Sequence, residues 1–183
     1  MKLKKDYILF NKNVYLEPFR KKHLTKKYIK MLNDKKVNQY LRVRHQFQNL
    51  STVKKYLKQF RSKNKFFWAI KKNKKASIIG TGAIRIRRNS RGGVGYMIGV
   101  NKYLGSKQSS EGFKMMIDHV FKEYELKTIN GINVKKNISA NFNLINNNFK
   151  LTKTTKHSFK FVLYKKDWKQ NISYEKSAVY SVL

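Results

Sequence analysis

The sequence predicts a mixed α/β fold, with a mostly antiparallel central sheet that carries helices on both faces. Three observations predict it. Two helical stretches precede a block of strand-like runs between residues 66 and 100. A long helical stripe follows at 113–124, and short strand and helix signals then alternate to about residue 165. No repeat, linker or break in composition divides the 183 residues, so we expect a single domain over 1–165 and a C-terminal tail over 166–183.

The elements follow in order. Val14–Pro18 reads as the first strand, stopped by the only proline. Leu24, Tyr28, Met31 and Leu32 recur at helical spacing behind Thr25, a suitable N-cap, and Asn33-Asp34 ends that helix. Val37, Tyr40 and Leu41 suggest a short helical turn. Ser51 is the expected cap of a second helix whose apolar face is Val53, Tyr56, Leu57 and Phe60. The period then changes. Phe66–Ile70 is strand-like, and in 78–88 residues Ile84, Ile86 and Arg88 share one face while Arg85 and Arg87 share the other. Asn89–Gly93 is a hairpin turn into the strand Val94–Val100. Gly95 and Gly99 lie inside that strand, where glycine signals a bulge or a close approach.

Phe113, Met116, Ile117, Val120, Phe121 and Tyr124 form one continuous helical face, which leaves His119 on the far side, towards solvent. A strand at Thr128–Val134, a helix from Ile138 to Asn147, and strands at Phe149–Leu151 and Phe159–Tyr164 complete the domain. Residues 170–183 show no pattern.

Charge dominates the composition: 43 Lys+Arg face 9 Asp+Glu, a formal net charge of +34. Such a surface attracts polyanions, or it records a bias towards Lys, Asn and Ile; no nucleic-acid-binding module accompanies it, so nucleic acid is not expected as the main partner. Without cysteine there is no disulfide, thiolate metal site or cysteine nucleophile. His23, His45, His119 and His157 lack metal-ligand spacing, so no metal is expected. Tyr7–Phe10 is too short for a signal-peptide core, and nowhere do about 18 apolar residues run together, so a cytoplasmic location is the expectation.

The segment Asn101–Gly112, between a glycine-bearing strand and the long helix, carries the clearest chemistry. A helix start offers unpaired N–H groups and the positive end of the macrodipole. Gly105 permits a tight turn; Ser106, Ser109 and Ser110 add hydroxyls and Lys107 a cation, which together suit a phosphate or pyrophosphate. The same residues also describe an ordinary capped helix.

Lys102–Lys107 (KYLGSK) stands where the GNAT superfamily of N-acetyltransferases places its Arg/Gln-x-x-Gly-x-Gly/Ala turn, and the chain resembles that superfamily over about residues 12–165. Glu111 matches the branch that includes ribosomal-protein alanine N-acetyltransferases, and Asn137, Ala140 and Phe149 stand at that branch's Asn, Ser and Phe positions. Lys107 replaces a small residue, Asn148 replaces a glycine, and Leu144 falls where a tyrosine general acid is frequent. The N-terminal half, from Leu24 to Tyr40 with Arg42 and Arg44, resembles acetyltransferases acting on amino sugars of surface polysaccharides.

The resemblance implies direct transfer from acetyl-CoA to a small-molecule amine, most simply a nucleotide-linked amino sugar. It implies a cofactor site at Ile98, Gly99, Val100, Gly105, Ser106, Lys107, Gln108, Ser109, Ser110 and Asn137, with an oxyanion-type contribution from backbone N–H groups at 98–100. Acceptor contacts would come from Asn33, Asp34, Arg42 and Arg44. The general base would come from Asp34, Glu111, Glu17 or His45, with Asp34 and Glu111 the catalytic assignments. Two rivals stay open: N-terminal acetylation of a protein such as a ribosomal subunit, and a basic RNA- or ribosome-associated module that has lost catalysis. Monomer and homodimer are equally compatible with the sequence.

Overall fold

The computed structural model describes residues 3–41, 43–169 and 172–182. Nine strands form one sheet in the order β7-β8-β6-β5-β4-β3-β2-β1-β9. They are β1 Leu3–Phe10, β2 Tyr15–Pro18, β3 Lys65–Lys71, β4 Ile78–Arg87, β5 Arg91–Ile98, β6 Thr128–Val134, β7 Lys150–Thr154, β8 Ser158–Tyr164 and β9 Glu175–Val182. Every neighbouring pair is antiparallel except β5–β6, which is parallel and joined by a helical crossover. The helices are α1 Lys26–Asn33, α2 Lys35–Asn38, α3 Leu50–Lys58, α4 Lys107–Glu123 and α5 Ile138–Asn146. This is the mixed, mostly antiparallel α/β architecture that the sequence predicts.

Most of the apolar core lies between the sheet and α4. Phe113, Met116, Ile117 and Val120 pack on Leu16, Trp68, Ile70, Ile84 and Ile129, all at most 1% exposed. A smaller core joins Tyr28, Met31 and Leu32 of α1 to Val53 of α3. Thr25 caps α1 as expected, its hydroxyl accepting from the Tyr28 amide at 3.1 Å.

The structure differs from the sequence reading in four places. First, β1 precedes the expected first strand. Its inward Lys4 and Asp6 form a buried ion pair at 3.0 Å, with Lys4 Nζ also donating to the Phe60 and Lys65 carbonyls; these charges interrupt the apolar alternation that marks a strand. Second, the expected tail contains β9, which pairs with the whole of β1. Ladder bonds rather than burial hold it, so no hydrophobic pattern is present to read.

Third, Asn49 rather than Ser51 caps α3, in a reciprocal arrangement with Thr52. Fourth, His119 is 1% exposed, not solvent-facing. It packs against Tyr7 of β1 with ring centroids 4.7 Å apart, because that unexpected strand covers the flank of α4.

Candidate active site

A cavity of about 520 Å³ opens where the end of β5 meets α1. Gly99 and Val100 form one wall, Tyr28, Met31 and Asp34 another, and Glu17 of β2, His23 of the turn after it and Lys71 of β3 also line it. Lys22, Lys27, Lys30 and Lys75 also border it.

Four groups converge in this cavity. The Arg20 amide donates to His23 Nδ1 at 2.8 Å, so the ring proton sits on Nε2, which donates to Glu17 Oε1 at 2.9 Å. Lys71 Nζ reaches the same oxygen at 2.9 Å, and Lys22 Nζ reaches Oε2 at 2.7 Å. Burial alone would raise the Glu17 pKa, but hydrogen bonds from Lys22, Lys71 and His23 outweigh it and hold the carboxyl at about 2. Burial lowers the His23 pKa, which keeps its ring neutral against the pull of Glu17. Glu17 enters the sequence reading only as a base candidate and His23 only in a metal search; their pairing depends on the tight turn Lys21–His23, which has no sequence signal.

On the other side of the strand end, the β5–β6 ladder pairs Arg91 with Thr128, Gly92 with Ile129 and Gly93 with Asn130, and stops there. Beyond it the two strands continue to Ile98 and Val134 without pairing. The Gly99 amide donates to the Ile79 carbonyl at 2.9 Å, so the two-residue period turns the N–H groups of Val94, Tyr96 and Ile98 into the splay. Gly99 therefore has no free donor, and of the residues 98–100 only Ile98, the last residue of β5, turns its N–H that way by the strand period.

The turn into α4 is a left-handed glycine and a capped helix. Gly105 has φ +67°, with open space above its Cα. Ser106 Oγ accepts from the Ser109 amide at 3.2 Å, and the Ser110 amide bonds to the Ser106 carbonyl at 3.0 Å. Lys107 and Gln108, the first two helical residues, have N–H groups without intrahelical acceptors. Asn137 caps α5 through the Ala140 amide at 3.2 Å. Leu144 is buried beneath Gly131 and has no proton to give.

The remaining site residues are distributed unevenly. Asp34 lines the cavity while its Oδ1 caps α2 through the Lys36 amide at 2.8 Å. Asn33 is committed to the backbone of Ile29 and Gln48, and Arg44 and His45 are exposed in the following turn; none of the three lines the cavity. Arg42 lies outside the described residues. Glu111 also lies away from the cavity, both oxygens accepting from Asn11 and Asn13 at 2.7–3.1 Å.

The model of the acetyltransferase (GNAT) domain family matches residues 13–141. The chain belongs to the GNAT acetyltransferase family. It is thus an N-acetyltransferase, moving an acetyl group from acetyl-CoA to an amine. Its fold resembles spermidine N-acetyltransferase from Vibrio cholerae, solved with coenzyme A and spermine, at TM-score 0.74 and 10% identity over 86% of this chain and 98% of that one. It also resembles the ribosomal-protein alanine acetyltransferase from Vibrio fischeri, at TM-score 0.70 and 18% identity over 90% and 100%. A third is the Salmonella typhimurium acetyl transferase that modifies the N-terminal serine of a ribosomal subunit protein, at TM-score 0.73 and 14% identity over 87% and 99%. At these identities the likeness is one of fold. No curated protein matches the acetyltransferase. Among its described residues, no helix is long and apolar enough to cross a membrane, and no group of three or more His, Asp or Glu could hold a metal.

Proposed function

We propose that this acetyltransferase acts on an amine carried by an anionic small molecule, with a nucleotide-linked amino sugar as the best fit. The lining of the acceptor cavity carries this reading. Glu17 is already matched by Lys22 and Lys71, which leaves Lys27, Lys30 and Lys75 to face Asp34 alone. That excess of positive charge attracts a diphosphate and repels a polyamine.

The residues around the splay suit coenzyme A. The open side of Gly105, the amides of Lys107 and Gln108 and the Lys107 ammonium suit its diphosphate, with Ser106, Ser109 and Ser110 alongside. The edge of β5 from Val94 to Ile98 offers main-chain partners to the pantetheine arm, and Asn137 stands at the start of the flanking helix. Acetyl-CoA, when bound, supplies a thioester carbonyl. The Ile98 amide is the group turned to polarise it, while Gly99 only lets the wall come close. Of the two carboxylates that line the cavity, Asp34 is the one outside the Glu17 cluster and is assigned to take the amine's proton. Arg44, outside the cavity lining, would meet only the far phosphate of a long acceptor, with Arg42 two residues before it in sequence.

Turnover with acetyl-CoA and a panel of amines tests this. A uridine diphosphate amino sugar should exceed the free amino sugar in kcat/KM by about tenfold or more. Preference for spermidine or for a neutral peptide N-terminus would overturn it. A preference confined to acidic peptide N-termini would assign the same lysines to a protein substrate.

A further inference from the structure

The far end of the sheet carries charge of a different kind. Lysine outnumbers arginine 35 to 8 in the chain, yet all four basic residues between 85 and 91 are arginine: Arg85, Arg87, Arg88 and Arg91. A bias towards lysine does not produce such a cluster.

The geometry is costly without an anion. Arg87 on β4 lies directly across from Arg91 on β5, and Arg85, two residues along the same face, lies across from Lys65 on β3. Like charges directly opposed across a ladder destabilise it. Every ion pair among the described residues is made by a lysine or a histidine, none by these arginines. Arg87, Arg88 and Arg91 are exposed.

An aromatic surface adjoins them. Arg85 lies 4.9 Å from the Phe60 ring centroid and donates to Tyr56 Oη at 3.0 Å, while Tyr56 remains 39% exposed. Nine residues of strand, roughly 30 Å at about 3.3 Å per residue, separate Arg87 from Ile78 at the acceptor cavity. A small acceptor held in that cavity does not reach this surface.

We infer that the β4–β5 hairpin, with Tyr56 and Arg85 beside it, is a docking surface for single-stranded RNA. Guanidinium forks match phosphate oxygens, and the opposed Arg87–Arg91 pair grips one phosphate from both sides. The exposed part of the Tyr56 ring accepts a stacked base beside the Arg85 guanidinium. Arginine with an exposed aromatic favours RNA over an acidic protein, which offers carboxylates but no bases to stack. The inference is independent of the acceptor proposed above.

Fluorescence anisotropy of the full chain with a labelled single-stranded RNA of about a dozen nucleotides, across a salt series, tests it. The triple variant R87Q/R88Q/R91Q should bind at least about tenfold more weakly, with the slope of log affinity against log salt reduced by about one per arginine. A control triple, K12Q/K153Q/K156Q, removes the same charge elsewhere and should lose less than about twofold. R85K, which keeps the charge and loses the planar fork, should also weaken binding. Unchanged acetyl-CoA binding by calorimetry in each variant shows that the fold is intact. Equal losses in both triples would reduce the effect to net charge and overturn the inference. Equally tight, arginine-dependent binding of a polyaspartate peptide would overturn it in favour of an acidic protein.

Discussion

The side chain of Met31 occupies the space that a side chain on Gly99 would need. A Cβ at Gly99 would collide with Met31 Sδ and Cγ, so the glycine is what lets α1 close onto the end of β5 and form the cavity wall. Gly99→Ala should therefore destabilise the fold by about 1–3 kcal/mol and raise the KM of the acceptor. Met31→Ala in the same chain should relieve the clash, giving a coupling of roughly 1 kcal/mol or more between the two sites in urea denaturation. Strict additivity would show that the contact does not set the wall.

Asp34 and Glu111, both candidate bases from sequence, separate on contact pattern. Asparagine caps a helix as well as aspartate, so Asp34→Asn keeps the bond to the Lys36 amide while removing the carboxylate from the cavity. Its kcat/KM should fall by at least about tenfold with little change in stability. Glu111→Ala should instead cost about 1–2 kcal/mol by orphaning Asn11 and Asn13, with kcat within about twofold of wild type. The reverse pattern, an inert Asp34→Asn and an inactive Glu111→Ala, would move the base to Glu111.

Where burial follows a period, the sequence is readable. The stripe from Phe113 to Val120 and the inward residues of β4 are apolar because they face one core, so the alternation of elements and the meander emerge directly. Strand β1 buries a Lys4–Asp6 ion pair and residues 175–180 of β9 bury almost nothing, so neither carries the expected alternation, although the two strands pair along their entire lengths. The turn at Gly105 is legible because only its backbone conformation matters there. The Glu17–His23–Lys71 cluster is not, because it joins three segments that only the folded sheet brings together.

Acid should destabilise the protein through His119. Its ring is buried among Tyr7, Trp68 and Tyr124, with neither nitrogen hydrogen-bonded. Burial, opposed by Glu123 and Asp118 and reinforced by Lys176 and Lys122, lowers its pKa to about 4. The unfolded chain protonates near the ordinary 6.5, so between about 6.5 and 4 it holds the extra proton and stability falls as pH falls. From pH 7 to pH 5 the loss from this group is about 2 kcal/mol. His119→Phe, which suits an aromatic pocket, should remove that part of the slope in urea denaturation at the two pH values. An unchanged slope would place the acid sensitivity elsewhere.

Asp118 fastens the C-terminal segment across the back of α4. It is 1% exposed, accepts from Trp168 Nε1 at 3.1 Å and Tyr174 Oη at 3.0 Å, and pairs with Lys122 Nζ at 2.8 Å. The segment it holds runs from β8, near one edge of the sheet, to β9 at the other, so the carboxylate is the midpoint of a strap that crosses the fold. Asp118→Ala leaves two half-buried donors and an exposed cation without their acceptor and should cost about 1–3 kcal/mol. Trp168→Phe keeps the ring packing and loses one hydrogen bond, costing about 1 kcal/mol. Amide exchange should localise the difference: β9 and its partner β1 lose protection in Asp118→Ala well before β4 and β5 do, because ladder bonds alone then hold the edge. Uniform loss of protection across all nine strands would show that Asp118 stabilises the whole domain rather than the strap.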